Sequence, residues 1–396
     1  MPKFQDVVQL TQDAVAQIMG TNYMSSLGDF AGLDSYKLAD VGNAVFDSTN
    51  GKDRLVNALI DSIGAIEAEV RPYEGDLSSI MVKPQEWGGF VERAYFAPSD
   101  IIQDPMYNLV NGTSYDDHIF YQPQVTTKFY QERKSILTPI SIGTEQLKSA
   151  FNSWEQLDKF VSGIRAAVRN TIEIGINSYK HMIAQCAIAM STYASGMNTA
   201  VHLLTEAKAA SIVPATETAS TAIYNPEFLT FALMRIAETR DNMRIMSTAF
   251  NNGSVPVNAY SEDDTKLVLL SGFEKACKFR LKARTFNKDE LSVGEYDRTP
   301  AWQGHDSGTG KFEFATNSIV SINADTDAKL GIGTSAFAQS YVIGLMFDRK
   351  ALGICPYERK VTSSYTAIAD FWNDYHHLLM NAMIDSNYNI VAFIID

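Results

Sequence analysis

Cysteine is scarce in this chain of 396 residues: Cys186, Cys277 and Cys355 stand far apart and are odd in number. That excludes a disulfide framework, and no two of them have zinc-ligand spacing. A reducing compartment is the expected home. Histidine is scarce too, with six residues. His118, His181, His202 and His305 have no spaced carboxylate or thiol partner. His376 and His377 are adjacent, so on a strand they point to opposite faces and cannot comfortably share one metal. Long apolar runs are missing as well. The longest uncharged apolar stretches fall short of about 18 residues, so no membrane-spanning helix is expected. The opening residues, MPKFQDVVQLTQD, lack a charged region followed by an apolar core, so no secretory leader is expected. Positive charge is in the minority, with 33 Lys and Arg against 46 Asp and Glu, a net charge of −13. A main surface that neutralised nucleic-acid phosphates would be basic instead.

Catalytic motifs are also missing. The stretch SGTGKFE around Gly308 invites a phosphate-loop reading, but Gly304 is one residue too far and Phe312 stands where Ser or Thr would bind magnesium. Gly331–Gly333 lacks the strand before and the helix after that a dinucleotide site needs. No G-x-S-x-G elbow is present, and no cysteine carries the flanks of a known nucleophile. Glu262, Asp263 and Asp264 sit in a polar loop and read as solvated. No catalytic, cofactor-binding or metal residue is therefore assigned, and no cofactor is expected.

What is present is an ordinary soluble composition, 45% hydrophobic and 20% charged, long enough for two or more domains. Residues 153–190 dominate it. Trp154, Leu157, Val161, Ile164, Val168, Ile172, Ile176 and Tyr179 recur every three or four residues, which puts them on one helical face. Ser153 and Gln156 can form a capping box, and Gly163 and Gly175 are the weak points. Such a helix is roughly 55 Å long and serves as a spine.

Before the spine, residues 1–75 read as an arm, with helices expected at 6–19 and 53–70. Residues 76–150 are rich in Tyr, Phe, Val, Ile and Thr. Strands are expected around 90–96 and over 124–142, joined through a polar tip at 108–117, which makes a protruding hairpin. After the spine, 191–222 reads as a linker or loop. Residues 226–244 read as a helix and 266–270 as a buried strand. Residues 273–286 read as a helix with an outer cationic side (Lys275, Lys278, Arg280, Lys282 and Arg284) that is solvated or meets acidic neighbours, with a DNA-binding patch as the alternative. Extended segments are expected at 312–322, 341–347, 360–375 and 388–395, the last ones returning to the spine. Aromatic residues reach 11%, the kind that populate large interfaces. Phe371, Trp372 and Tyr375, with Tyr365 and Tyr388 nearby, are core or interface.

This order of arm, hairpin, spine, α/β segment and late strands resembles the major capsid proteins of tailed bacteriophages, with their α+β, HK-97-like fold. Four stretches resemble the capsid proteins of phi-29-like podoviruses: KFYQERKSILTPISIG (128–143), FNSWEQLDKFVSGIRAAVRNTIEIGINSYK (151–180), TKLVLLSGFEKACKFRLKARTFNKDELSVG (265–294) and DFWNDYHHLLMNAMIDSNYNIVAFI (370–394). The resemblance implies an N-terminal arm at 1–75. It implies a peripheral domain at 76–221 and 346–396, with an extended loop at about 90–137 and the spine at about 153–190. An axial domain would span 222–345. It also implies a homo-oligomer of hexamers and pentamers in a closed icosahedral or prolate shell around double-stranded DNA, with portal, scaffolding and other head proteins as partners. Packaged DNA would lie close without tight binding, and no membrane would be involved. The virion would be its location and the host bacterial cytoplasm its place of assembly. The immunoglobulin-like C-terminal extension of the podovirus protein is not expected, since the sequence stops after its last strand. The alternatives are an encapsulin-like cellular compartment with protein cargo, and an enzyme of unrelated type.

Overall fold

The computed structural model describes residues 77–81, 91–98, most of 102–146, 154–192, 199–251, 253, 264–282, 296–303, 314–322 and 336–396, with a few positions before residue 45. The expected helix at 53–70, the Ser153 cap and both glycine motifs lie outside these residues. Of the helix at 6–19, positions 12, 15 and 16 are described and helical.

In chain order the elements begin with strands β1 (Val91–Phe96), β2 (Val125–Tyr130) and β3 (Arg133–Gly143) and the spine helix α1 (Trp154–Thr192). Next come β4 (Val201–His202), α2 (Leu203–Ala209), α3 (Ala219–Ala222), α4 (Pro226–Asn242), β5 (Thr265–Leu270) and α5 (Ser271–Lys282). They are followed by β6 (Asp297–Thr299), α6 (Phe314–Asn317), β7 (Val320–Ile322), β8 (Phe337–Gln339) and β9 (Val342–Asp348). The last three are β10 (Leu352–Thr366), β11 (Phe371–Ile384) and β12 (Ile390–Ile394). Two compact units emerge. The first comprises 1–75, 134–178 and 356–380, the second 76–133, 179–355 and 381–396. Their boundaries fall inside the spine helix and inside β10 and β11.

In the first unit three strands pair in the order β10-β11-β3. Burial alternates along β11: Trp372, Asp374, His376 and Leu378 are buried, and the residues between them are not. That is the period of a sheet with one covered face. On the other face Ser141 Oγ donates to Asn373 Oδ1 at 2.6 Å. The spine approaches β3 closely. A Cβ added at Gly175 would stand 2.7 Å from Ile136 Cδ1. The glycine read as a weak point is thus a point of close contact between helix and strand. The helical stripe is real at Val168, Ile172 and Ile176, all buried. The side chains of Trp154, Leu157 and Val161 lie outside the described residues. Tyr179 is only half-buried.

In the second unit five strands pair in the order β4-β12-β9-β5-β6. The β12–β9 and β9–β5 pairs are antiparallel, whereas β4 and β6 join the edges in parallel. Helices α2, α4 and α5 share one apolar cluster with this sheet, including Phe228, Phe231, Phe273, Leu267, Leu269 and Phe393. Helix α4 starts as its sequence dictates: Asn225 Oδ1 accepts from Glu227 N at 3.0 Å and Pro226 takes the first helical position.

The terminal strand pairs with β4 and β9, and its residues IVAFI are buried without alternation, which requires a place inside a sheet covered on both faces. Three expectations need correction. The expected linker at 191–222 contains β4, α2 and α3, and its Leu203, Leu204, Ala207 and Val213 are core. The extended segment at 312–322 starts as a helical turn, α6, and only Val320–Ile322 is strand. The single strand at 360–375 is a hairpin whose turn occupies 367–370, with Asp370 at φ 48. Asp is one of the few residues other than Gly that tolerates that conformation.

Candidate assembly interface

Strands β1 and β2 pair antiparallel from Val91↔Tyr130 to Phe96↔Val125. This two-stranded ribbon is a sheet of its own. The segment between the strands folds on local bonds. Asp104 Oδ1 accepts from Met106 N at 2.8 Å, Tyr115 Oη from Val110 N at 2.9 Å, and Asp116 Oδ1 from His118 N at 2.9 Å. Gly112, at φ 85, closes a turn in which Thr113 N donates to Val110 O at 3.2 Å. Each of these bonds spans five residues or fewer.

The side chains along this ribbon are far more apolar than its polar tip suggests. Twelve of the 21 large apolar side chains exposed among the described residues fall between Phe96 and Phe129. Tyr107 is 81% and Phe120 82% exposed, with Met106, Leu109 and Val110 close behind. Scattered single apolar residues need no explanation, but a contiguous run of them marks an interaction surface. Among the described residues no third strand joins this ribbon, and two strands alone have little core to cover them.

The base of the ribbon, in contrast, is anchored. Asp385 is fully buried and sits in the turn between β11 and β12. Its Oδ2 accepts from Arg93 Nη1 at 2.8 Å and from the Tyr95 hydroxyl, and its Oδ1 from Asn387 N at 3.1 Å. Arg93 also donates to the Lys350 carbonyl and lies over the rings of Tyr130 and Tyr388, 5.8 and 5.4 Å from their centroids. Lys128 Nζ donates to Asn387 Oδ1 at 2.9 Å. Burial and the neighbouring carboxylate push the Tyr95 hydroxyl up to about 12 and raise Tyr130 as well. Burial opposes the charge on Arg93, but the Asp385 carboxylate outweighs it and the guanidinium pKa is raised. Arg93 and Asp385 are 292 residues apart, so no local pattern announces them.

The residues tested for chemistry separate. His376 is buried on β11 and His377 is exposed, with its Nε2 3.1 Å from Thr362 Oγ1, so the two rings do point to opposite faces. The three cysteines are buried thiols without a disulfide. Among the described residues no cluster of three His, Cys, Asp or Glu is placed to hold a metal ion, and no helix is long and apolar enough to cross a membrane. The late aromatic residues are not one cluster. Tyr365 stacks on buried Trp372 at 5.0 Å in the first unit, and Tyr388 meets Tyr95 at 5.8 Å in the second.

A family described as Phi29-like phage major capsid protein matches residues 13–394. The chain belongs to this family. Among members, the major capsid protein of Bacillus phage PZA is 20% identical over 360 residues, 90% of this chain and 67% of the relative. That of Bacillus phage B103 is 22% identical over 148 residues, 37% of this chain and 32% of the relative. That of Bacillus phage GA-1 is 20% identical over 185 residues and 38% of its own length. The fold is shared more widely. A chain of the Staphylococcus phage Andhra capsid structure superposes with a TM-score of 0.52 at 11% identity, covering 79% of this chain and 82% of that one. A chain in the structure of the head fiber and inner core protein gp22 of native bacteriophage P68 gives 0.51 at 8% identity, covering 80% and 83%. The architecture is the HK-97-like capsid fold. These findings support a phage capsid protein and not the encapsulin-like alternative. Membership of a structural family implies a role in building a shell and not in catalysis.

Proposed function

We propose that this major capsid protein self-assembles into the closed icosahedral or prolate head shell around the double-stranded DNA of a tailed bacteriophage. The observation that supports this most is the β1–β2 ribbon, anchored at its base by Asp385 and exposing an apolar surface that its own subunit leaves uncovered. In a shell of hexamers and pentamers the ribbon is the extended loop and lies on an adjacent copy. The five-stranded sheet and its helices form the axial part that meets its copies around symmetry axes. The spine and the β10-β11-β3 sheet form the peripheral part. Many modest contacts per subunit, repeated by symmetry, suffice to close such a shell. Portal, scaffolding and other head proteins are its partners in the host cytoplasm, and the virion is its destination.

Deleting residues 108–117 tests this reading. The subunit should stay folded by circular dichroism and fail to form shells. Shells of normal size would show that the ribbon is not an assembly element. DNA is the second test. Packaged DNA must slide past the wall, and each neutralised phosphate would add salt-dependent affinity that resists movement. The unassembled subunit should bind duplex DNA no more tightly than about 100 μM at physiological salt, the weak end of non-specific binding. Fluorescence anisotropy at two salt concentrations measures this. Sub-micromolar binding with a steep salt slope would contradict a passive, acidic-walled container.

A further inference from the structure

Two helices of the second unit expose faces of opposite charge. On α5, Lys275, Lys278, Phe279 and Arg280 are exposed, and Phe279 is 77% open to solvent. Arg298 on β6 adds a fourth cation. The carboxylate among them is Glu274, whose side chain is 5% exposed. It accepts from Lys278 Nζ and from the Tyr296 hydroxyl at 3.0 Å, with Arg298 at 3.6 Å. Burial pulls its pKa up, but these partners together hold it below the usual carboxylate value. It stays ionised and offsets one of the four positive charges. Arg280 lies 4.8 Å above the Tyr224 ring and donates to the Tyr224 carbonyl at 3.1 Å. Tyr224 is 57% exposed. The face is therefore two open aromatic rings set among cations.

On α4 the outward stripe reads Glu227, Thr230, Met234, Glu238 and Asp241, all exposed at helical spacing. Met234 is 57% exposed at its centre. The adjacent cation, Arg235, is already engaged by Glu206 at 2.7 Å and Glu238 at 2.9 Å. Glu206 and Glu238 thus engage this arginine, Glu227 and Asp241 stand exposed along the same stripe, and Arg244 lies two residues past the helix end.

We propose that the basic, aromatic face of α5 docks on the acidic, Met234-centred face of α4 of a second copy of this chain. The inference rests on the reading of the protein as a shell subunit and names the contact by which axial parts meet. Charge complementarity singles out this occupant. Copies of a chain with net charge −13 repel one another, and a positive face opposite a negative one offsets that repulsion. The two faces differ, so their contact is head-to-tail, the kind that closes rings around an axis. Each has an apolar centre with charges at its margin, the anatomy of a protein interface. A methionine sulfur against an aromatic ring adds a favourable contact.

The test is a charge swap. One variant carries Lys275→Glu and Arg280→Glu, a second Glu238→Lys and Asp241→Lys, and a third all four. Circular dichroism checks folding, and sedimentation with electron microscopy measures shells. Each double variant should lose at least about tenfold in shell yield at physiological salt, and the fourfold variant should recover most of it. Wild-type yield from either double variant, or no recovery in the fourfold variant, would overturn the proposal. Intact shells with weakened duplex DNA binding in the first variant would also overturn it, since the basic face would then serve DNA. A wild-type protein that builds no shells would instead refute the functional reading itself.

Discussion

Strand β12 and the segment joining β1 to β2 are both rich in apolar residues, yet the fold treats them oppositely. Ile390, Val391, Ala392, Phe393 and Ile394 are all 0% exposed, whereas Met106, Tyr107, Leu109 and Val110 are 63–81% exposed. The difference lies in neighbours. β12 has a strand on each side and apolar side chains over its faces. The ribbon has one partner strand and local turns. Burying apolar surface contributes about 25 cal/mol per Å², so β12 is stabilised within its own chain. The same gain is still outstanding for the ribbon, and a second copy can supply it. On the proposed function, one region belongs to the fold of the subunit and the other to the assembly.

Substitutions should sort by that contrast. The largest effect on the subunit is expected inside the sheet. Phe393→Ala removes a fully buried ring and should cost about 3–5 kcal/mol, read from denaturant unfolding. Next comes the anchor, which joins the two regions. Asp385→Asn leaves Arg93, 16% exposed in its side chain, without its carboxylate. A loss of about 3 kcal/mol is expected, with faster hydrogen exchange across 91–96. A ribbon anchored elsewhere would show neither. Gly175→Val is expected to cost about 1–3 kcal/mol, because the added atoms meet Ile136. Gly175→Ala should be milder, since the flexible end of Ile136 can turn aside and alanine favours the helix.

A smaller, pH-dependent effect is expected in the first unit. Burial pushes Asp374 up to about 6. A carboxyl whose folded pKa exceeds its unfolded value binds its proton more tightly in the fold. Its contribution to stability is therefore full below about pH 4 and lost as pH rises to about 6. His376, two residues along the same face, is lowered by burial and by His377. It costs stability as pH falls below about 6.5. The two slopes oppose. Asp374→Asn should raise the urea midpoint at pH 7 and lose that advantage by pH 4. An equal gain at both values would mean that the carboxyl does not titrate in this window.

Much of this was legible beforehand, and the misses share a cause. The spine, β5, β9 and α4 are long or strongly patterned, and local periodicity suffices to find them. The ribbon was visible as two β-rich runs around a polar tip, although its exposed apolar residues were not. The turn at 367–370 was hidden because ALA-ILE-ALA-ASP carries no Gly or Pro. β4 and α2 were hidden because each is too short to establish a period. The place of β12 between β4 and β9, and the Arg93–Asp385 anchor, depend on residues far apart in the chain. Local pattern carries no record of such pairings.

The measurement that bears most directly on the contrast is made on the ribbon alone. Leu109→Ser, Val110→Ser and Phe120→Ser, combined in one protein, remove exposed apolar side chains and nothing from the core. The subunit's unfolding midpoint should move by less than about 0.5 kcal/mol equivalent, as for ordinary surface changes. Negative-stain electron microscopy and sedimentation should then find closed shells from the wild-type chain and only unassembled subunits from the variant. Shells from the variant at wild-type size and yield would contradict the account.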